Sequence, residues 1–200
     1  PRGAAHHRPA DRGRTGRPRR CPCSPQGRLL GARRMTVRPI LQWPDKRLRT
    51  PAADVAAVTD ETRAIWDDMI DTMDAMPGVG LAAVQIGVMQ RLAVVDASDG
   101  RGQAIRLANP RVIAAADTLR PHDEASPCLP GVSARIERPA PVTVRFLNAE
   151  GEEEEREFDG LWATSVQHQI DHLAGRMYFD RLSGMKRQML LKKAGKRRRA

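Results

Sequence analysis

The chain has 200 residues, of which 40% are apolar and three are cysteine, and its formal net charge is +10. That length holds one domain with a sizeable core and leaves room for extensions. No apolar run approaches the roughly 18–20 residues needed to cross a bilayer, and an odd, small cysteine count argues against a disulfide framework, so a reducing cytoplasm is the expected compartment.

The charge is concentrated at the ends. Residues 1–34 hold ten arginines and one acid, Asp11, and residues 186–199 hold eight Lys or Arg and no acid. The stretch between them is mildly acidic. Basic ends favour polyanions such as RNA or the ribosome, or an anionic surface; solvated tails are the plain alternative. Residues 1–34 are rich in Arg, Pro and Gly and lack apolar periodicity, so they are expected to be a disordered extension. They contain no apolar h-region of a secretory signal. Cys21-Pro22-Cys23 has no second Cys or His pair nearby and is a weak metal signal. The folded domain is expected over 35–185, beginning at Met35, with 186–200 as a basic C-terminal helix or tail.

In chain order, Val37–Asp45 reads as an extended segment broken by prolines. Thr59 or Asp60 can cap a helix that runs to about Met76, with Ile65, Trp66, Met69, Ile70, Met73 and Met76 on its apolar stripe. Asp67, Asp68, Asp71 and Asp74 fall largely off that stripe and read as a solvated face. Pro77-Gly78 ends the helix. Gly78–Gly87 follows, with closely spaced glycines and alanines that imply close backbone approach. It has neither the Gly-Lys-Ser/Thr ending nor the G-x-G-x-x-G spacing of a phosphate loop. Gln85 is the lone polar side chain there, either satisfied in the core or aimed into a site. Arg91–Ala97, Ala104–Ala108 and Val112–Ala115 read as three strands, the last two parted by Asn109-Pro110. Residues 123–131 read as a loop carrying Cys128. Val142–Leu147 and Glu152–Phe158 form a hairpin whose glutamate-rich second arm suits an exposed edge.

A helix from about Gly160 to Gly175 carries Trp162, Val166, Ile170 and Leu173 on one stripe. Ser165, His168, Gln169 and His172 lie on the adjoining one. His168 and His172, one turn apart, can grip a single metal ion. Cys128 is the natural third ligand, and a Cys-His-His set suits Zn²⁺, Fe²⁺ or another first-row ion with a fourth position open to water. Asp171 is either an orienting partner for a ligand histidine or a solvent-facing charge. Basic residues at Met185–Ala194 mark a last helix.

Three stretches, in order, resemble the signature motifs of the peptide deformylases. Gly78–Gly87 is similar to G-x-G-L-A-A-x-Q-I-G, Cys128-Leu129 falls near E-G-C-L-S, and His168-Gln169-Ile170-Asp171-His172 resembles H-E-x-D-H. Ile40–Leu48 also looks like the family's opening. The resemblance spans about residues 35–185. It implies an α+β fold, with mixed and antiparallel β-structure around a central metal-binding helix. It implies removal of formate from the N-formyl-methionine of nascent polypeptides by a metal-dependent hydrolase. One divalent ion, Fe²⁺ foremost with Zn²⁺ also used, would be held by Cys128, His168 and His172. Gln85 and the backbone N–H of Leu129 would stabilise the tetrahedral intermediate. Val79 and Gly80 would lie along the substrate backbone.

Two departures stand out. Gln169 replaces the family's glutamate, whose general acid–base help is typically worth on the order of 10²–10⁴-fold. Ser126-Pro127-Cys128-Leu129-Pro130 replaces E-G-C-L-S, and Pro127 has no N–H. Three expectations stand: a deformylase-type metalloamidase, slow or with an altered substrate; a non-catalytic relative that binds metal and formylated peptide ends; or an RNA- or ribosome-associated protein acting through its basic ends.

Overall fold

A computed structural model describes residues 35–197. The extension 1–34, with Cys21-Pro22-Cys23, and residues 198–200 lie outside the described part. The wholly apolar run 92–95, the longer strand 105–115 and the alternating run 142–147 form the middle of a five-stranded antiparallel sheet. Its strands are β1 (Gly80–Ala82), β2 (Leu92–Val95), β3 (Ile105–Ala115), β6 (Val142–Leu147) and β7 (Glu153–Phe158), in that spatial order. Strands β4 (Leu119–Ala125) and β5 (Ser133–Pro139) form a separate antiparallel pair. Three helices complete the α+β fold: α1 (Asp60–Asp74), α2 (Gly160–Leu173) and α3 (Gly184–Arg197). Among the described residues, no helix is long and apolar enough to cross a membrane.

The sheet is covered on both faces. Ala82, Ala93, Val95, Leu107, Val142, Val144 and Phe146 pack with Val166 and Leu173 of α2. Leu81, Leu92, Val94 and Ala108 point the other way, as the two-residue period of a strand requires, and meet Trp66, Met69 and Met73 of α1. Thr59 caps α1 as its sequence predicts, its hydroxyl accepting from the Thr62 N–H. A third cluster gathers Leu48, Cys128, Leu129, Ile136, Tyr178 and Phe179, with Leu190 and Leu191 of α3 beside it.

Several local expectations are revised. β3 is one strand, not two: Asn109 takes φ +50° and the pairing with β6 slips between Ala108 and Arg111, so a bulge carries the strand through Pro110. Asn109 is held there by two hydrogen bonds to the Val55 backbone. The segment read as a loop from 123 supplies the end of β4, whose paired run of Pro, His and acids hides its strand character. The acidic face of α1 is not simply solvated. Asp71 is buried and accepts from the Thr36 N–H, while Asp67 and Asp68 pair with Arg106 and Arg38. The glutamate-rich arm does end the sheet as edge strand β7.

Candidate active site

Helix α2 places the polar stripe. Asp159 caps it, accepting from the Gly160 N–H, and Gly175 at φ +70° follows its last turn. Ser165, His168, Gln169 and His172 are all buried. Edge strand β1 runs close against this stripe. A Cβ on Gly80 would lie 2.5 Å from Ser165 Oγ and 2.7 Å from Gln169 Nε2, so any side chain there displaces two side chains of the site. Ser165 Oγ donates to the Val79 carbonyl at 2.9 Å, fixing the strand to the helix. Gln85, just beyond β1, is held at one end: its Oε1 accepts from the Ala82 N–H at 2.8 Å. Its Nε2 is left pointing at Ser126 Oγ and Cys128 Sγ, both at 3.5 Å. Gln85 is thus aimed into the site, which the sequence alone left open.

The two histidines meet edge to face, ring centroids 4.9 Å apart. Glu124 Oε2, from β4, lies 2.7 Å from His168 Nδ1. Nδ1–H to carboxylate leaves Nε2 of His168 as the free lone pair. Burial alone would raise the Glu124 pKa, but hydrogen bonds from Arg138 and His168 and the charge of Arg138 outweigh it and lower it to about 2. Arg138 is itself buried and grips Glu124 with Nε and Nη2 and Asp171 with Nη1. His172 is enclosed: burial, then the neighbouring His168 and Arg138, hold it well below its ordinary value, so it is neutral. Its Nε2 lies 3.4 Å from Ser126 Oγ, and its Nδ1 has no hydrogen-bond partner among the described residues.

Three expected roles change. Asp171 neither faces solvent nor orients a histidine. It is buried and bound by Arg138 and Arg181, while the orienting carboxylate is Glu124. The Leu129 N–H, expected to face a substrate oxygen, donates here to the Ser126 carbonyl at 3.0 Å. Cys128 sits in the apolar cluster of Leu129, Ile136 and Tyr178, its thiol pushed up by burial. Its described side-chain contacts on the site side are with Gln85 and Ser126. Glu124, Ser126 and Arg138 are the residues that sequence reasoning passed over.

The donor set answers whether a metal fits. Among the described residues, no group of three His, Cys, Asp or Glu side chains converges to hold an ion. His168, oriented by Glu124, and neutral His172 suit a first-row metal. The group facing His172 in the third direction is the Ser126 hydroxyl, a neutral oxygen and a poor substitute for a thiolate. The expected set of Cys128, His168 and His172 is therefore not assembled, and two good donors stand without a third.

Known proteins place this architecture. The family model of polypeptide deformylase matches residues 37–188. The chain is 44% identical over 175 residues to the peptide deformylase of Rhizorhabdus wittichii, covering 83% of this chain and 98% of that protein. It is 42% identical over 168 residues to that of Phenylobacterium zucineum, covering 83% of this chain and 99% of the relative. Among solved structures, the peptide deformylase of Legionella pneumophila superposes with a TM-score of 0.77 at 36% identity, covering 82% of this chain and 96% of that one. The Ehrlichia chaffeensis enzyme in complex with actinonin gives 0.77 at 32% identity, covering 83% and 100%. Peptide deformylases are metal-dependent hydrolases that remove the formyl group from the N-formylmethionine of nascent peptides. With the first and third motifs in order, the helix and its histidines in place, and the match running over most of the chain, this protein belongs to the peptide deformylase family.

Proposed function

We propose that the outer edge of β1, together with Gln85 and the polar stripe of α2, receives the N-formyl-methionyl end of nascent polypeptides and acts on it as a deformylase-type site with reduced turnover. One observation carries this reading. Polar groups converge there without full satisfaction: Gln169 Oε1 is buried with no partner among the described residues, and Gln85 Nε2 reaches only two groups, each at 3.5 Å. Unsatisfied buried polar atoms that converge at one place suit a ligand, a water or an ion that completes their hydrogen bonds. A formamide is the matching shape, its oxygen accepting from Gln85 Nε2 and its N–H donating to Gln169 Oε1. Among the described residues, the outer edge of β1 pairs with no further strand of the sheet, so an extended peptide running past Val79 and Gly80 can add to it.

Gln169 limits the chemistry. A neutral amide can hold the formyl amide but does not take a proton from water or return one to the leaving amine, so the chemical step loses on the order of 10²–10⁴-fold. His168 and His172 are the two metal donors; the ion expected by resemblance is Fe²⁺, with Zn²⁺ or another first-row ion as the substitute. The cytoplasm, where nascent chains emerge, is the matching compartment. The basic face of α3, with exposed Lys186, Lys192, Lys193 and Lys196, suits docking on ribosomal RNA.

The test is a pair of measurements on the full chain. Calorimetric titration with a formyl-Met tripeptide and with its free-amine counterpart is expected to detect binding of the first only. Formate release from the formylated peptide, with Fe²⁺ or Zn²⁺ supplied, is expected to be slow. Equal binding of the two peptides, or of neither, would sink the proposal.

A further inference from the structure

We infer that Ser126, not Cys128, occupies the third corner of the metal site, so this chain keeps the substrate-holding half of a deformylase centre while lacking the thiolate that grips the ion. The inference deepens the proposed function and rests on it for the identity of the substrate.

Geometry gives the first reason. Ser126 Oγ lies 3.4 Å from His172 Nε2 and 3.5 Å from Gln85 Nε2, at the junction of the metal helix and the oxyanion glutamine. It also accepts from the Cys128 N–H at 3.3 Å, which fixes its direction. Cys128 Sγ, two residues on, reaches Gln85 Nε2 at the same 3.5 Å, so the contact with His172 is what distinguishes Ser126; the Cys128 side chain otherwise packs in the apolar cluster with Leu129, Val132 and Tyr178.

Register gives the second reason. In the motif E-G-C, a glutamate stands two residues before the ligand. Here Glu124 stands two residues before Ser126, and it is the carboxylate on His168 Nδ1. Aligning Glu124-Ala125-Ser126 with E-G-C therefore keeps the glutamate in a structural role. Aligning through Cys128 puts Ser126 at that place and leaves Glu124 without a counterpart.

The same register explains the spent Leu129 N–H. The residue after the ligand position is then Pro127, which has no N–H to offer an oxyanion. Three departures, Ser126, Pro127 and Gln169, thus fall on metal grip, oxyanion stabilisation and proton transfer. None falls on Val79, Gly80 or Gln85, which would hold the peptide. A hydroxyl is a poor third donor for a borderline or soft first-row ion, whereas a thiolate is a strong one.

The experiment is an anaerobic Co²⁺ titration of the full-length protein, followed by metal stoichiometry and by the thiolate-to-cobalt charge-transfer band. The wild type is expected to bind Co²⁺ weakly and without that band, and Cys128→Ser is expected to change neither reading. Ser126→Cys is expected to bind one Co²⁺ at least about tenfold more tightly and to gain the band. Formate release is expected to rise further only when Gln169→Glu is added to it. A band in the wild type that disappears in Cys128→Ser would overturn the assignment, and so would wild-type affinity equal to that of a natively folded Ser126→Cys. The wild-type and Cys128→Ser arms decide the matter even where Ser126→Cys fails to fold. Loss of formyl-peptide selectivity in the wild type would instead remove the proposed function and leave the Ser126 assignment standing.

Discussion

Glu124 Oε2 sits 2.7 Å from His168 Nδ1, while the same carboxylate takes two hydrogen bonds from Arg138. A catalytic-helix histidine is thereby tied to strands β4 and β5 through one buried ion pair. Arg138 extends the chain of charges to Asp171, which also takes Arg181. The network fixes which nitrogen of His168 is free, and it docks the small β-pair against α2.

Removing the arginine leaves buried Glu124 with His168 as its remaining partner and buried Asp171 with Arg181 and Arg176. Breaking a buried pair this way costs about 3–5 kcal/mol. Arg138→Met is therefore expected to lower stability by that order, read from the urea midpoint at unchanged slope. Arg138→Lys is expected to recover only part of the loss, because one ammonium does not reproduce the planar fork that reaches both carboxylates. Full rescue by lysine would mean that charge alone holds the network.

Gly80 is expected to tolerate no side chain. A Cβ there would meet Ser165 Oγ at 2.5 Å and Gln169 Nε2 at 2.7 Å. Ser165 Oγ and the Gln169 amide would have to turn away, or β1 shift off α2, an overpacking that costs about 1–3 kcal/mol. Gly80→Ala is expected to reduce formyl-peptide affinity and to lower the melting temperature together. A variant that melts like the wild type and still binds would show that the strand and helix are not coupled at this point.

Gln85 is expected to be needed twice over. Its Oε1 satisfies the buried Ala82 N–H, and its Nε2 is the donor aimed at the site. Gln85→Leu strands that N–H at a cost of about 1–3 kcal/mol and removes the donor, so both stability and formyl-peptide binding are expected to fall. Binding at the wild-type level in this variant, measured by calorimetry, would exclude Gln85 from recognition.

The sequence made one half of this site legible and hid the other for a physical reason. His168, Gln169 and His172 share a helix, so four-residue spacing alone puts them on one face. Gln85 stood out as the single polar residue in an apolar run. Glu124, Ser126 and Arg138 reach the site only through the pairing of β4 with β5, where Glu124 lies opposite Ala134, and that pairing is non-local. Their strands are rich in charge and proline, so periodicity does not announce them. Cys128 drew attention by its chemistry, although its surroundings are those of a core residue. Asn109-Pro110 looks like a break in the sequence because a proline usually ends a strand, and two side-chain hydrogen bonds to Val55 carry the strand through.

Helix α3 sets the last prediction. Its buried Ala194, with Leu190 and Leu191, packs on the cluster of Leu48, Tyr178 and Phe179, and Arg197 donates to the Gly131 carbonyl. Deleting the helix would therefore strip apolar cover from the fold and confuse docking with stability. Replacing the exposed Lys186, Lys192, Lys193 and Lys196 with glutamine removes charge and leaves that packing alone. For every lysine that pairs with a phosphate, its neutralisation makes the salt slope of binding shallower by about one unit. The fourfold variant is expected to melt like the wild type, to bind formyl-peptide unchanged, and to bind ribosomes more weakly with a shallower dependence on salt. An unaltered salt slope would assign these lysines to a solvated face with no polyanion partner.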